Sequence, residues 1–182
     1  MKETVTYLHM TDPAHLQAGQ PVDGLSLQPA TTLDGTRALH EAIGGPHHWA
    51  RCTWSDDQWE RWLHDPRHTQ WHITLDGDTI GALELESNSD GGVEIVVFGL
   101  LPAHTGKGLG AGALTLATRT AWAATDTHGR SPRQVWLLTS TLDHPRALPN
   151  YLNRGFRVFR TVTRDHPSTP PASAEDRKIV PS

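Results

Sequence analysis

The chain has 182 residues, with 16 Lys and Arg against 20 Asp and Glu, a net charge of −4 and a single cysteine, Cys52. That length fits one domain with a sizeable core; the slightly acidic balance argues against a general nucleic-acid binder, and one cysteine permits neither a disulfide framework nor a thiolate metal cluster. No apolar run reaches the length of a membrane span, and the opening residues Met1-Lys-Glu-Thr-Val-Thr6 lack the apolar centre of a signal peptide, so a reducing, cytoplasmic setting is expected.

Residues 5–10 read as a first strand and 25–28 as a short second one, separated by a polar loop with Gly19, Pro21 and Gly24. Residues 34–43 read as a helix that Gly44-Gly45-Pro46 ends. Ser55 and Gln58 have capping-box spacing for a second helix, Trp54 and Trp59 have hydrophobic-staple spacing, and the helix stops after Leu63, before Pro66. Residues 70–75 and 79–86 are strands joined by the hairpin turn Asp76-Gly77-Asp78. A turn over 88–92 leads into a central apolar strand at 93–100. A long helix is expected from Lys107 to about Asp126, burying Leu109, Ala113, Leu116, Ala117, Ala121 and Ala124. Residues 134–141, with the run Val135-Trp-Leu-Leu138, read as a strand buried on both faces. A short helix follows near 147–154; Pro149 allows it to begin only about one turn earlier or forces a kink, and Gly155 is a natural C-cap. A last strand is expected at 156–164. From Pro167 onward proline, serine and charge dominate, so 1–165 is expected to be the domain and 166–182 a disordered tail.

The chemistry concentrates where Glu94-Ile-Val-Val-Phe-Gly-Leu-Leu-Pro102 runs into Thr105-Gly-Lys-Gly-Leu-Gly110. An apolar strand with one carboxylate enters a glycine-rich turn, and the turn opens the long helix. The first N–H groups of a helix lack partners and carry partial positive charge, so anions settle there. Glycines at 106, 108 and 110 let a phosphate approach the backbone, and Lys107 adds a cation at the rim. A P-loop would need Ser or Thr after the lysine, but Gly108 stands there. A dinucleotide fingerprint needs Gly-x-Gly-x-x-Gly and an acidic strand end about twenty residues on; the glycines here alternate, and Asp126 falls in a helical context.

The turn resembles the phosphate loop of the GNAT acyltransferase superfamily, Arg/Gln-x-x-Gly-x-Gly/Ala, with Thr105 in place of the Arg or Gln. Asp143-His-Pro-Arg-Ala-Leu-Pro-Asn-Tyr-Leu-Asn-Arg-Gly-Phe156 is similar to the family's later motif, Asn-x-x-Ala-x-x-x-Tyr-x-x-x-Gly-Phe: Ala147, Tyr151, Gly155 and Phe156 match and His144 replaces Asn. The ordered pair is far more specific than either motif alone. The resemblance covers roughly residues 70–163. It implies an α/β GNAT fold: a mixed central sheet of about six to seven strands, splayed between the family's fourth and fifth strands (here 93–100 and 134–141), and flanked by about four helices.

The resemblance also implies an N-acyltransferase moving an acetyl group from acetyl-CoA, or another acyl-CoA, to a primary amine of a small or amino-acid-like acceptor. Backbone groups of Leu100, Leu101 and Pro102 would pair with pantetheine; Thr105, Gly106, Lys107, Gly108, Leu109 and Gly110 would cradle the pyrophosphate; Asn150 could add a contact. Direct transfer needs a base for the amine and an acid for the thiolate. Glu94, fourteen residues before Gly108, has the spacing of the base in histone-type members, and strand alternation would group it with Val96 and Phe98. Glu84 and Glu86 share a face of the neighbouring strand, would line the same cleft and are rivals for the base. Tyr151 is the acid by motif position; a phenol can donate to a thiolate. His144 is expected to cap or orient the turn; its other readings are a polar contact in place of the usual Asn, to the substrate, or an alternative base.

Trp49, Trp54, Trp59 and Trp62 crowd the region where this fold builds its acceptor pocket, and helix packing explains them before substrate stacking does. Trp49 and Trp54 are the substrate candidates. Among twelve histidines, His64 and His68 have helical spacing, but Pro66 breaks the helix between them, and no metal is expected. The acidic residues hint at a cationic acceptor. Two alternatives stay open: transfer of an aminoacyl group from a charged tRNA, and a non-catalytic CoA-binding module. Many relatives are homodimers; no membrane partner is expected.

Overall fold

The computed structural model describes residues 2–30, 32–125 and 128–165. The expected tail at 166–182 and Asp126 lie outside them. Seven strands form, β1 (Lys2–Met10), β2 (Leu25–Pro29), β3 (His68–Leu75), β4 (Asp78–Ser87), β5 (Gly92–Leu100), β6 (Gln134–Ser140) and β7 (Arg157–Asp165), with helices α1 (Leu33–Gly44), α2 (Asp56–His64), α3 (Leu109–Ala123) and α4 (Ala147–Asn153). They make one sheet in the order β2-β3-β4-β5-β6-β1-β7. Among the described residues its only parallel pair is β5 with β6, and the other five neighbouring pairs are antiparallel. Residues 93–100 and 134–141, expected as the family's fourth and fifth strands, are β5 and β6 of this chain.

Local chemistry explains the helix ends. The Ser55 amide donates to Gln58 Oε1 at 2.9 Å and the Gln58 amide to Ser55 Oγ at 3.4 Å, the capping box that starts α2. Trp54 and Trp59 meet at 5.4 Å between ring centroids. Pro149 falls in the first turn of α4, where a missing N–H costs nothing. In α3, Leu114 is fully buried while Leu116 is only half-buried, and Ala124, expected in the stripe, is the half-buried C-cap just past the helix.

α3 covers one face of the sheet, packing against Leu83, Leu85, Val93, Ile95, Val135 and Leu137. α1 covers part of the other, where Leu39 and Ile43 meet Ala82 and Val97. A bulge on β5 decides which side chains go where. Leu85 pairs with Ile95 but Glu84 pairs with Val97, leaving Val96 as an extra residue. The alternation therefore changes phase: Val93, Ile95 and then Phe98 face α3, while Glu94 and Val97 face the α1 side. Glu94 does not share a face with Phe98, contrary to the simple period of two.

β5 and β6 pair only through Gly92–Gln134, Val93–Val135 and Glu94–Trp136. Beyond that point they part, so residues 95–100 run roughly 20 Å with that edge open at about 3.3 Å per residue.

Candidate functional site

The gap between the parted strands opens into a cleft of about 480 Å³ lined by Phe98, Gly99 and Leu100 of β5, Thr105, Gly106, Gly108, Gly110 and Ala111 of the turn and α3, and His144, Arg146, Ala147, Pro149, Asn150, Tyr151 and Asn153 around α4. Gly106 and Gly108 hold φ of 76° and 80°, a left-handed backbone that favours glycine, and a Cβ added to either would meet nothing within 4 Å. Gly108 is the N-cap of α3, no side chain caps the helix, and its first turn holds no acidic residue. The orphan N–H groups there face open space. The Thr105 hydroxyl donates to Pro102 O at 2.8 Å, folding the side chain back onto its own turn.

Several expected donor residues take other roles. Of the expected pantetheine partners, Leu100 lines the cleft, while the Leu101 amide donates to Ile80 O at 2.7 Å on the β4 side of the strand and Pro102 O accepts from Thr105. Leu101 and Pro102 do not line the cleft. The Leu109 side chain is buried in the core, leaving its backbone for the cradle, and Lys107 is exposed at the rim without lining the cleft. Asn150 Nδ2 donates to Gly110 O at 3.1 Å, tying α4 to the first turn of α3.

Tyr151 lies in the wall of this cleft, 7% exposed. Burial raises its phenol above the ordinary value, and the nearby charge of Asp143 raises it further. The proton therefore stays on oxygen at neutral pH. His144 Nδ1 accepts the Arg146 amide at 3.2 Å, so it caps the turn into α4 as expected while also lining the cleft. Asp143 was passed over in the sequence because it sits one residue before the motif, yet its carboxylate is fixed from three directions. Oδ2 accepts the Thr139 hydroxyl at 2.8 Å and the Ser140 amide at 2.9 Å, and Oδ1 accepts Trp49 Nε1 at 3.0 Å.

The acidic candidates lie on the α1 side of the sheet and outside the cleft. Glu84 and Glu86 do share a face, but that face is covered. Glu84 is 1% exposed, paired with Arg51, 3.2 Å from Trp62 Nε1 and 3.7 Å from His40 Nδ1. Burial alone would raise its carboxyl; Arg51 and His40 override burial and hold it at about 2. This locked anion is enclosed on the α1 side and does not line the cleft. Glu86 is paired with His68 at 3.3 Å and Arg67 at 3.5 Å. Glu94 is 3% exposed beside Trp136, where β5 and β6 begin to part. Trp54 packs on Trp59, Trp62 and the Arg51 guanidinium, so its ring serves helix packing. Arg51 and His40 went unseen in the sequence because their partner lies far along the chain. His64 and His68 each turn Nδ1 to a backbone carbonyl, of Glu60 and Trp62. Among the described residues no group of three or more His, Cys, Asp or Glu is arranged to hold a metal, and no helix is long and apolar enough to cross a membrane.

Solved structures with this fold include a GCN5-related N-acetyltransferase from Kribbella flavida (TM-score 0.61, 20% identity, covering 88% of this chain and 56% of that one). A second, a GCN5-related N-acetyltransferase from Sphaerobacter thermophilus, has TM-score 0.55 and 16% identity and covers 87% of this chain and 49% of that one. A tandem GNAT protein from the clavulanic acid biosynthesis pathway matches at TM-score 0.54 and 16% identity, over 88% and 53%. The chain thus spans about half the length of each. No curated protein matches its sequence. Residues 36–156 match the acetyltransferase (GNAT) family, and with the splayed sheet and the glycine cradle in place, the chain belongs to that family.

Proposed function

We propose that this chain is an N-acyltransferase that moves an acetyl group from acetyl-CoA directly to the primary amine of a small or amino-acid-like acceptor in the cytoplasm, with residues 1–165 as its catalytic domain. The observation that carries this reading is the union of an open strand edge with an uncapped helix N-terminus in one cleft. The residues present fit such a donor. An elongated amide-containing arm needs an unpaired strand edge, which 98–100 supplies; a diphosphate needs convergent N–H groups with no Cβ in the way, which 106–110 supply.

Bound there, acetyl-CoA supplies a reactive thioester. The amides opening α3 hold the phosphates, and Asn150 keeps α3 and α4 in register around them. Tyr151, its proton retained by burial, donates it to the departing sulfur. Glu94 takes the proton of the amine; what supports this is its position on the α1 side of the sheet at the last β5–β6 pair, where the strands part. Calorimetric titration with acetyl-CoA should show binding, and a thiol-release screen against amines, amino acids and aminoglycosides should find turnover. No binding removes the donor assignment, and binding without turnover leaves a CoA-binding module.

A further inference from the structure

We infer that Asp143 binds the ammonium of the acceptor, and that Trp49 holds Asp143 in place from across the gap between β5 and β6. The inference rests on the transferase reading and adds to it the residue that receives the amine. Asp143 follows the free end of β6: Thr139 and Ser140, which bind its Oδ2, lie beyond Trp136, the last β6 residue paired with β5. Trp49 belongs to the other side of the gap. Its ring lies 3.7 Å from where a Gly99 Cβ would sit, and Gly99 is on the open stretch of β5. The Trp49–Asp143 hydrogen bond thus spans the diverged strands. A second bond runs parallel to it, between His47 Nδ1 and Leu142 O at 3.0 Å.

The two oxygens of Asp143 have different work. Oδ2, with Thr139 and Ser140, closes the turn after β6. Oδ1 is not needed for that turn, and its partner comes from 94 positions away. A carboxylate oxygen has two lone pairs, and the Trp49 N–H uses one. An ionised carboxylate only accepts, so a ligand completing Oδ1 must bring donors, and a cationic donor gains most. A carboxylate already oriented by three donors loses little freedom on binding. Asp143 is followed directly by His144, which lines the donor cleft together with Tyr151, so an amine held at Oδ1 lies beside that cleft. Trp49 is a positioning residue: its ring is packed against Gly44, Gly99 and His40, and its N–H, not its face, serves the site.

The test separates KM from kcat. With the best acceptor from the thiol-release screen, Asp143→Asn should raise the amine KM by about tenfold or more, the scale of a lost charged hydrogen bond, and leave the acetyl-CoA KM within about twofold of wild type. Trp49→Phe should raise the amine KM by a smaller factor in the same direction. An unchanged amine KM in Asp143→Asn, or an equal rise in both KM values, overturns the assignment. If no amine is turned over, the transferase reading fails, and a binding measurement decides on Asp143 alone. In ¹⁵N-labelled, CoA-loaded protein, n-butylammonium should shift the Trp49 indole N–H resonance (the one absent from Trp49→Phe), n-butanol should not, and Asp143→Asn should abolish the response. No shift in wild type, or a shift that survives in Asp143→Asn, overturns the inference. Should Asp143→Asn not fold, Trp49→Phe must weaken n-butylammonium binding several-fold in ligand-observed NMR; unchanged binding overturns it equally.

Discussion

The two faces of the sheet are built by different means. On the α3 face the cleft is made mostly of main chain: an unpaired strand edge, a left-handed glycine turn and the first N–H groups of a helix. On the α1 face the work is done by side chains brought together from distant segments, with Arg51, His40 and Trp62 around Glu84 and Trp49 against Asp143. The first arrangement offers main-chain groups alone, which suits the donor proposed for it, whose phosphates and amides ask for no particular side chain. The second depends on individual residues: the cluster around Glu84 is enclosed and holds the fold, while the Trp49–Asp143 pair can be retuned one side chain at a time, which suits the acceptor role inferred for it.

The sharpest way to break this contrast is to remove one member of the buried cluster. Glu84→Ala leaves Arg51 charged and enclosed by Trp54 and Trp62, and should cost about 3–5 kcal/mol of stability in denaturant unfolding. The paired change Arg51→Met with Glu84→Leu should recover much of that loss; a small effect of Glu84→Ala would mean that water reaches the cluster. Next in size, Tyr151→Phe should lower kcat about 10²-fold or more while acetyl-CoA still binds. Unchanged turnover in stopped thiol-release assays would remove the acid from Tyr151.

A pH titration sharpens the contrast further. The folded Glu84 carboxyl sits at about 2, below its ordinary 4.5, so its stabilisation is complete above about 4.5 and is lost as pH falls towards 2. Asp65, held down to about 2 by its hydrogen bond to Arg67, titrates over the same window. The difference in unfolding free energy between wild type and Glu84→Gln therefore isolates Glu84: it should shrink as pH falls from 4.5 towards 2, and a constant difference would refute the assignment. The smallest effect is expected at Gly108. Alanine there meets no neighbour but must adopt φ of 80°, which costs about 1–2 kcal/mol. Its thermal midpoint should fall by a few degrees, and a fall beyond about 10 degrees would show that the turn is more tightly packed than its open surroundings imply.

The same contrast decides how much could be read from the chain. Features set by near neighbours were legible: Ser55 with Gln58, Pro149 in the first turn of α4, and the glycines before α3. What depended on distant partners was not. Glu84 looked like a cleft residue because Arg51, 33 positions away, carries no local sign of its partner. Glu94 was grouped with Phe98 because one extra residue, Val96, leaves no mark in an apolar run yet turns every later side chain over. Asp143 stood next to a motif and gained its role only through a tryptophan from the other side of the gap.

The position of β1 carries a consequence for how the molecule assembles. Residues 2–10 lie between β6 and β7, whose residues are 134–140 and 157–165. During synthesis β1 therefore has neither neighbour until residue 134 has been reached, a wait of roughly 6–25 s at 5–20 residues per second. Sheet closure is then a late, long-range event that should make folding slow, and a nascent chain halted before residue 134 would keep an unmated, apolar ribbon for chaperones to shield.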